Sequence, residues 1–199
     1  MKVTKAQVQA NRARVVETAS LLFREHGYDG VGIADLMSAA GLTHGGFYKH
    51  FASKSDLIAE SAACGLAQTA EQSVGIEIAE LVRHYLSRAH RDNRTNGCTI
   101  AALGGDAARQ PEAVRASFAA GIEKMLATLS KLSAESDSFE GREERAQNLS
   151  ILACAVGALV MSRACPDDLP LADEILSVVR DRLMATLNAA ETNQDFQSS

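Results

Sequence analysis

Leu42-Thr43-His44-Gly45-Gly46-Phe47-Tyr48-Lys49-His50-Phe51-Ala52-Ser53-Lys54-Ser55-Asp56-Leu57-Ile58 carries the strongest local signal in this chain of 199 residues. It predicts one short helix that offers polar side chains outward, followed at once by the capped start of a longer helix. Thr43 is of the type that favours an N-cap, and Leu42 before it can pack on Phe47 as a hydrophobic staple. Phe47 and Phe51, spaced i and i+4, belong to the apolar face, which leaves Thr43, His44, Tyr48 and Lys49 on the other. Gly45 and Gly46 place no side chain between the backbone and whatever lies against it. A glycine costs a helix interior roughly 1 kcal/mol relative to Ala and less in a first turn, so the pair reads either as a loosened surface turn or as close backbone approach to a ligand. Ser53 caps the next helix, and Lys54 in its first turn opposes the helix dipole. That position is poor for stability but suits an incoming anion.

Toward the amino terminus, Val15, Val16, Ala19, Leu22 and Phe23 recur at helical spacing between Gln7 and His26, and Gly27 supplies the stop. Ile33, Leu36, Met37 and Ala40 predict a second, short helix from about Gly32 to Ala40, closed by Gly41. Helix, short helix, glycine turn and another short helix is the layout of a helix-turn-helix reader.

These same residues resemble the amino-terminal domain of TetR-family transcriptional regulators over positions 12–60. The resemblance is carried by Phe23-x-x-x-Gly27-Tyr28, Ile33-x-Asp35-Leu36, Ala39-Ala40-Gly41-Leu42-Thr43 and Gly46-Phe47-Tyr48-Lys49-His50-Phe51-x-Ser53-Lys54. It implies duplex DNA as a partner, with Tyr48, His50 and Lys54 at the positions that touch phosphates. Thr43, His44 and Gly45 then stand at those that face base edges, and Lys49 at a position open to either a base edge or a phosphate, with Gly46 beside them. The chain departs from the family where the second helix opens. Val31 and Gly32 stand where a hydroxyl residue is common, so only the backbone N–H groups at that helix start, Gly32 included, are left for a phosphate.

Net charge is −5, which by itself argues against a nucleic-acid partner. The distribution is less hostile: residues 1–60 carry seven Lys/Arg against six Asp/Glu, a balance of +1, and the remaining residues carry −6. Apolar residues make up 46%, with three prolines and no tryptophan, which favours an all-α fold with a sizeable core. Met1 to Asn11 is polar and has no apolar segment of a signal peptide, so a cytoplasmic location is expected. Cys64, Cys98, Cys154 and Cys165 form no C-x-x-C pair and are expected as reduced thiols. Cys98, near several arginines, also reads as a candidate oxidation sensor.

The rest of the chain predicts helices at about 53–73, 76–89, 98–109 (broken at Gly104 and Gly105), 111–129, 143–164 and 171–187, with polar loops at 91–97 and 133–141. Arg88, His90, Arg91 and Arg94 read as a solvated face. The apolar run Leu149 to Met161, about 13 residues, is too short to span a membrane and should be buried between protein surfaces. The expected division is a three-helix helix-turn-helix domain at 1–52, a helical domain at 53–190 and a disordered tail at 191–199, about nine helices in all. By resemblance the second domain encloses a small-molecule effector, with Tyr85, Cys98, Leu103, Phe118, Ile122 and Met125 as pocket candidates. The last two helices resemble the family's dimer interface and nominate Leu152, Val156, Leu159, Val160, Ile175, Val179 and Leu183.

The resulting expectation is a homodimeric, ligand-responsive transcriptional regulator, a repressor released from a palindromic operator by a small molecule. The rival readings are an all-helical ligand-binding protein or enzyme without specific DNA binding, and a scaffold that associates through the late apolar helices. No G-x-S-x-G, H-E-x-x-H or phosphate loop is present, and His44 and His50 lack metal spacing, so no catalytic residue, cofactor or metal is expected.

Overall fold

The computed structural model describes residues 4–130 and 139–197, without the side chains of residue 140 and of residues 190–197. Among the described residues there are nine α-helices, one 3-10 helix and no strand. The helices are α1 (Lys5–His26), α2 (Ile33–Ala39), the 3-10 helix (His44–Lys49), α3 (Lys54–Gln72), α4 (Ile78–Tyr85), α5 (Arg88–Asp92), α6 (Thr99–Ala107), α7 (Glu112–Leu129), α8 (Phe139–Ala164) and α9 (Pro170–Gln197). The fold is all-α.

Tertiary contacts divide the chain into two compact units, Met1–Gln72 with Arg94–Met125, and Ser73–Asn93 with Leu126–Ser199. The sequence suggested a boundary between residues 52 and 53, yet α3 and α6 pack against α1. The reason is a shared apolar core. Val15, Ala19 and Phe23 of α1, Leu57, Ala62 and Leu66 of α3, Leu103 and Ala107 of α6, and Val114 and Phe118 of α7 are buried in one cluster with Phe47 and Phe51.

Local chemistry sets the ends of the first elements. The Thr4 hydroxyl accepts the Gln7 N–H at 3.2 Å and opens α1. Gly27, at φ 74°, turns the chain out of α1 while donating its N–H to the Phe23 carbonyl at 2.8 Å. Inside this unit Arg24 is only 6% exposed. Its Nε donates to the Thr95 carbonyl at 2.7 Å, and its Nη1 to the Ser20 hydroxyl at 2.8 Å and the Thr99 hydroxyl at 3.3 Å. Burial lowers the Arg24 pKa and raises that of Cys64. Room for this cluster exists because residue 65 is glycine: a Cβ there would stand 2.5 Å from Arg24 Nη1 and 2.6 Å from each hydroxyl.

The second unit corrects several expectations. The helix foreseen at 76–89 is two helices, because Leu86 closes α4 by donating to Val82 at 3.0 Å and the Ser87 hydroxyl starts α5 by accepting the His90 N–H at 3.2 Å. Arg91 is not on a solvated face; its side chain is 2% exposed. It donates to the carbonyls of Ser162 at 3.0 Å and Cys165 at 3.1 Å, where the carboxyl end of α8 attracts a cation, and pairs with Asp92 and Asp167 at 2.7 Å each. Arg163 returns the tie by donating to the carbonyls of Arg91 and His90. Along α8 and α9, which pack together, Ile151, Ala155, Leu159, Ala172, Leu176 and Leu183 are buried.

α6 runs unbroken through Gly104 and Gly105, and α9 continues to Gln197, through most of the expected tail. The loop expected at 133–141 falls largely on residues 131–138, outside the described residues, and α8 already begins at Phe139. The apolar part of α8 is longer than its 13-residue centre suggested. Among the described residues Gly141–Ala164 is the one helix long and apolar enough to cross a membrane, by length and composition only. That is weak evidence for a span, since a helix with apolar faces on two sides passes the same test.

Two outcomes follow from this packing. Gly65→Ala forces the Arg24 cluster apart and is expected to lower unfolding free energy by about 1–3 kcal/mol, read from urea denaturation. His90 is held below its ordinary value of 6.5, chiefly by burial and further by Arg163 and His84, against the raising effect of the Tyr85 carbonyl. The unfolded chain therefore binds this proton more readily than the folded one. Stability present above about pH 6.5 is lost as pH falls below it, and His90→Gln should flatten the melting temperature between pH 7 and pH 5.

Candidate nucleic-acid interface

The site is built on α2, the following turn, the 3-10 helix and the start of α3. Leu42 donates its N–H to the Met37 carbonyl at 2.8 Å across Gly41, which takes φ 70°, and this reverses the chain after α2. Phe47 is 0% and Phe51 3% exposed, their rings 5.5 Å apart. They seat the segment in the core by its apolar side.

The outward-facing segment is a 3-10 helix rather than an α-helix, with Gly46 donating to Thr43 and His50 to Phe47, each at 2.9 Å. With three residues per turn, positions i and i+3 eclipse, so Gly45 lies in line with Tyr48 and Gly46 with Lys49. Thr43 occupies the N-cap position, but its hydroxyl makes no capping bond. Thr43, His44, Gly45, Tyr48 and Lys49 are exposed, Gly46 and His50 half-buried. Tyr48 is 69% exposed, with its ring edge-on to Phe47 at 5.2 Å.

His50 Nδ1 is buried and has no hydrogen-bond partner. A proton there would be an unsatisfied buried donor, so the neutral ring carries its proton on Nε2. The His50 carbonyl is held from the other side by Arg12, whose Nε donates to it at 3.3 Å. The Arg12 guanidinium also lies 4.8 Å from the Phe51 ring centroid and pairs with Glu60. Sequence reasoning missed Arg12, because its partners are 38 and 48 residues away and no local pattern marks them.

Lys54 has a structural duty as well. Its Nζ donates to the Tyr28 carbonyl at 2.6 Å and lies 5.9 Å from the Phe23 ring centroid, tying the first turn of α3 to the α1–α2 turn. Ser53 caps α3 as expected, accepting the Asp56 N–H at 3.1 Å. The departure at Val31-Gly32 also has a structural reason. Val31 is 3% exposed and belongs to the core, and a Cβ on Gly32 would stand 3.0 Å from the Asp35 carboxylate, which folds back over the amino end of α2.

The expected pocket residues do not gather in one unit. Cys98, Leu103, Phe118 and Met125 are buried and Ile122 half-buried in the first unit, whereas Tyr85 belongs to the second. Leu103 and Phe118 are part of the main core cluster. Of the residues nominated for a dimer face, Leu159 and Leu183 are buried within their own unit, Leu152, Val156, Ile175 and Val179 are half-buried, and Val160 is exposed.

Comparison with known proteins places this head. The family model described as bacterial regulatory proteins, tetR family, matches residues 15–61. The helix-turn-helix head is where the chain matches the TetR family. The HTH-type transcriptional regulator AcrR of Shigella flexneri is 37% identical over 57 residues, 29% of this chain and 26% of that protein. An HTH-type transcriptional regulator of Mycobacterium tuberculosis is 28% identical over 190 residues, covering 90% of this chain and 97% of that one. Among solved structures, a TetR transcriptional regulator from Chloroflexus aurantiacus has a TM-score of 0.69 and 24% identity, covering 92% of this chain and 96% of that one. The reduced form of E. coli NemR has a TM-score of 0.67 and 18% identity, covering 87% and 95%. The chain thus carries a TetR-type helix-turn-helix DNA-binding head, and its fold is that of TetR-family regulators.

Because Lys54 holds the α1–α2 turn, Lys54→Met is expected to lower stability by about 1–2 kcal/mol, the loss of one charge-assisted hydrogen bond, as measured by thermal unfolding. An unchanged melting temperature would remove this structural duty.

Proposed function

We propose that this TetR-family protein is a homodimeric repressor that leaves a palindromic operator when a small-molecule effector binds its helical body. The observation that carries the reading is the exposed row of Thr43, His44, Gly45, Tyr48 and Lys49 on a base of buried Phe47 and Phe51, within the segment that matches the family. Tyr48, His50 and Lys54 take phosphates, His50 through Nε2, while Thr43, His44, Gly45 and Lys49 meet base edges. Gly46 keeps the backbone close to the groove, and the N–H groups at the start of α2, Gly32 among them, are left for a phosphate.

Dimerisation is assigned to α8 and α9. Leu149, Val160, Met161, Leu171 and Val178 are exposed apolar side chains on these two helices. They extend the half-buried Leu152, Val156, Ile175 and Val179 into a face suited to a four-helix bundle with a second copy. The effector belongs in the first unit among Cys98, Leu103, Phe118, Ile122 and Met125, and the protein works in the cytoplasm. Release is a population shift: the effector binds the conformation that does not fit DNA, so DNA in turn weakens effector binding.

Selection of bound duplexes from a random pool is expected to return a palindrome, with affinity falling steeply as salt rises. Tyr48→Ala should then weaken binding to every duplex alike, and His44→Ala should change which duplex is preferred. Recovery of no common sequence would overturn the reading. Val160→Glu is expected to convert the dimer to monomer in sedimentation and to abolish high-affinity binding to the full palindrome; a stable dimer would remove α8 from the interface.

A further inference from the structure

Arg12 of α1 is fixed at three points beside the end of the reader. Its Nε donates to the His50 carbonyl at 3.3 Å, its Nη2 pairs with the Glu60 carboxylate of α3, and its guanidinium lies 4.8 Å from the Phe51 ring centroid. Arg24 and Arg91, which fasten the chain elsewhere, are buried in doing so, at 6% and 2% exposure. Arg12 is different: 41% of its side chain stays exposed. A guanidinium carries five N–H donors, and a free arginine loses rotamer entropy when a ligand immobilises it. Here folding has already ordered the side chain. Among the described residues the bonds from Nε and Nη2 are its only hydrogen bonds, which leaves both N–H groups of Nη1 without a protein partner.

We propose that Nη1 of Arg12 takes a phosphate of duplex DNA, as a contact beyond those of Tyr48, His50 and Lys54. The inference rests on the DNA-binding reading above. The carbonyl that holds Nε belongs to His50, where the 3-10 helix ends and where Nε2 is assigned to a phosphate, so Arg12 stands at that same end of the reader. Because its tie lies past the row Thr43 to Lys49, the group it meets is DNA backbone rather than a base edge. Phosphate oxygens suit a planar fork held in one orientation, which an arginine supplies and a lysine does not. Glu60 and the His50 carbonyl fix that orientation and leave the Nη1 edge open.

The test uses the full-length protein and a duplex recovered by selection from a random pool, with single phosphates replaced by uncharged methylphosphonates. Wild type is expected to lose about tenfold in affinity at each phosphate it contacts. Arg12→Gln should bind the unmodified duplex about tenfold more weakly, lose nothing further at one such phosphate per half-site, and keep the wild-type losses at the others. Arg12→Met, which keeps the aliphatic stem over Phe51, should give the same pattern. Each variant is compared with itself on two duplexes, so a lower melting temperature does not alter the pattern. Arg14→Gln removes the same charge from an exposed position roughly 200° around α1 and should keep every wild-type loss. The proposal is overturned if Arg12→Gln binds the unmodified duplex like wild type, if both Arg12 variants stay sensitive to every phosphate that wild type senses, or if Arg14→Gln abolishes the same loss. Failure of wild type to select any duplex would instead sink the DNA-binding reading itself, so the two failures are distinguishable.

Discussion

The burial of Phe47 and Phe51 is the constraint on which the amino-terminal head depends. Their rings pack on one another in the core formed by α1, α2 and α3, and only this anchorage gives a six-residue 3-10 helix a fixed position. An isolated turn of that length has no stability of its own in water. Its polar side chains are therefore aimed by two aromatic residues that face the opposite way. Arg12 strengthens the anchorage where the segment ends, by holding the His50 carbonyl and covering the Phe51 ring.

A second theme is the use of cations to close helix ends and turns. Lys54 takes the Tyr28 carbonyl, Arg24 the Thr95 carbonyl, and Arg91 the carbonyls of Ser162 and Cys165. Main-chain carbonyls exposed at turns and at helix carboxyl ends carry partial negative charge, so a guanidinium or ammonium satisfies several at once. In this chain such residues look like surface charge in the sequence and prove to be fasteners. The reading of Arg91 as part of a solvated face failed for that reason.

The head was legible because its signals are local. Periodic apolar residues, Gly27 and Gly41 as stops, Ser53 as a cap and the Phe47/Phe51 pair all act within a few residues of one another. The family match at 15–61 falls on these elements. The helical body was less legible. The break at Leu86–Ser87 lies inside a continuous amphipathic pattern, and the burial of Leu159 and Leu183 against the exposure of Leu149 and Met161 depends on how α8 and α9 turn toward each other.

The order of residues alone was enough to specify an all-helical chain, the helix-turn-helix layout and which residues of the reader are polar. These follow from spacing and capping, which are short-range effects. Tertiary structure decided what each polar residue is free to do. It wound the reader as a 3-10 helix, which lines up Gly45 with Tyr48, and it left His50 Nδ1 buried without a partner. It committed Lys54 to Tyr28, folded Asp35 over the start of α2, and drew α3 and α6 into the core of the head. The Lys54, α3 and α6 contacts join groups far apart in sequence, and His50 Nδ1 is marked by the absence of a partner in space; neither leaves a mark on a local pattern.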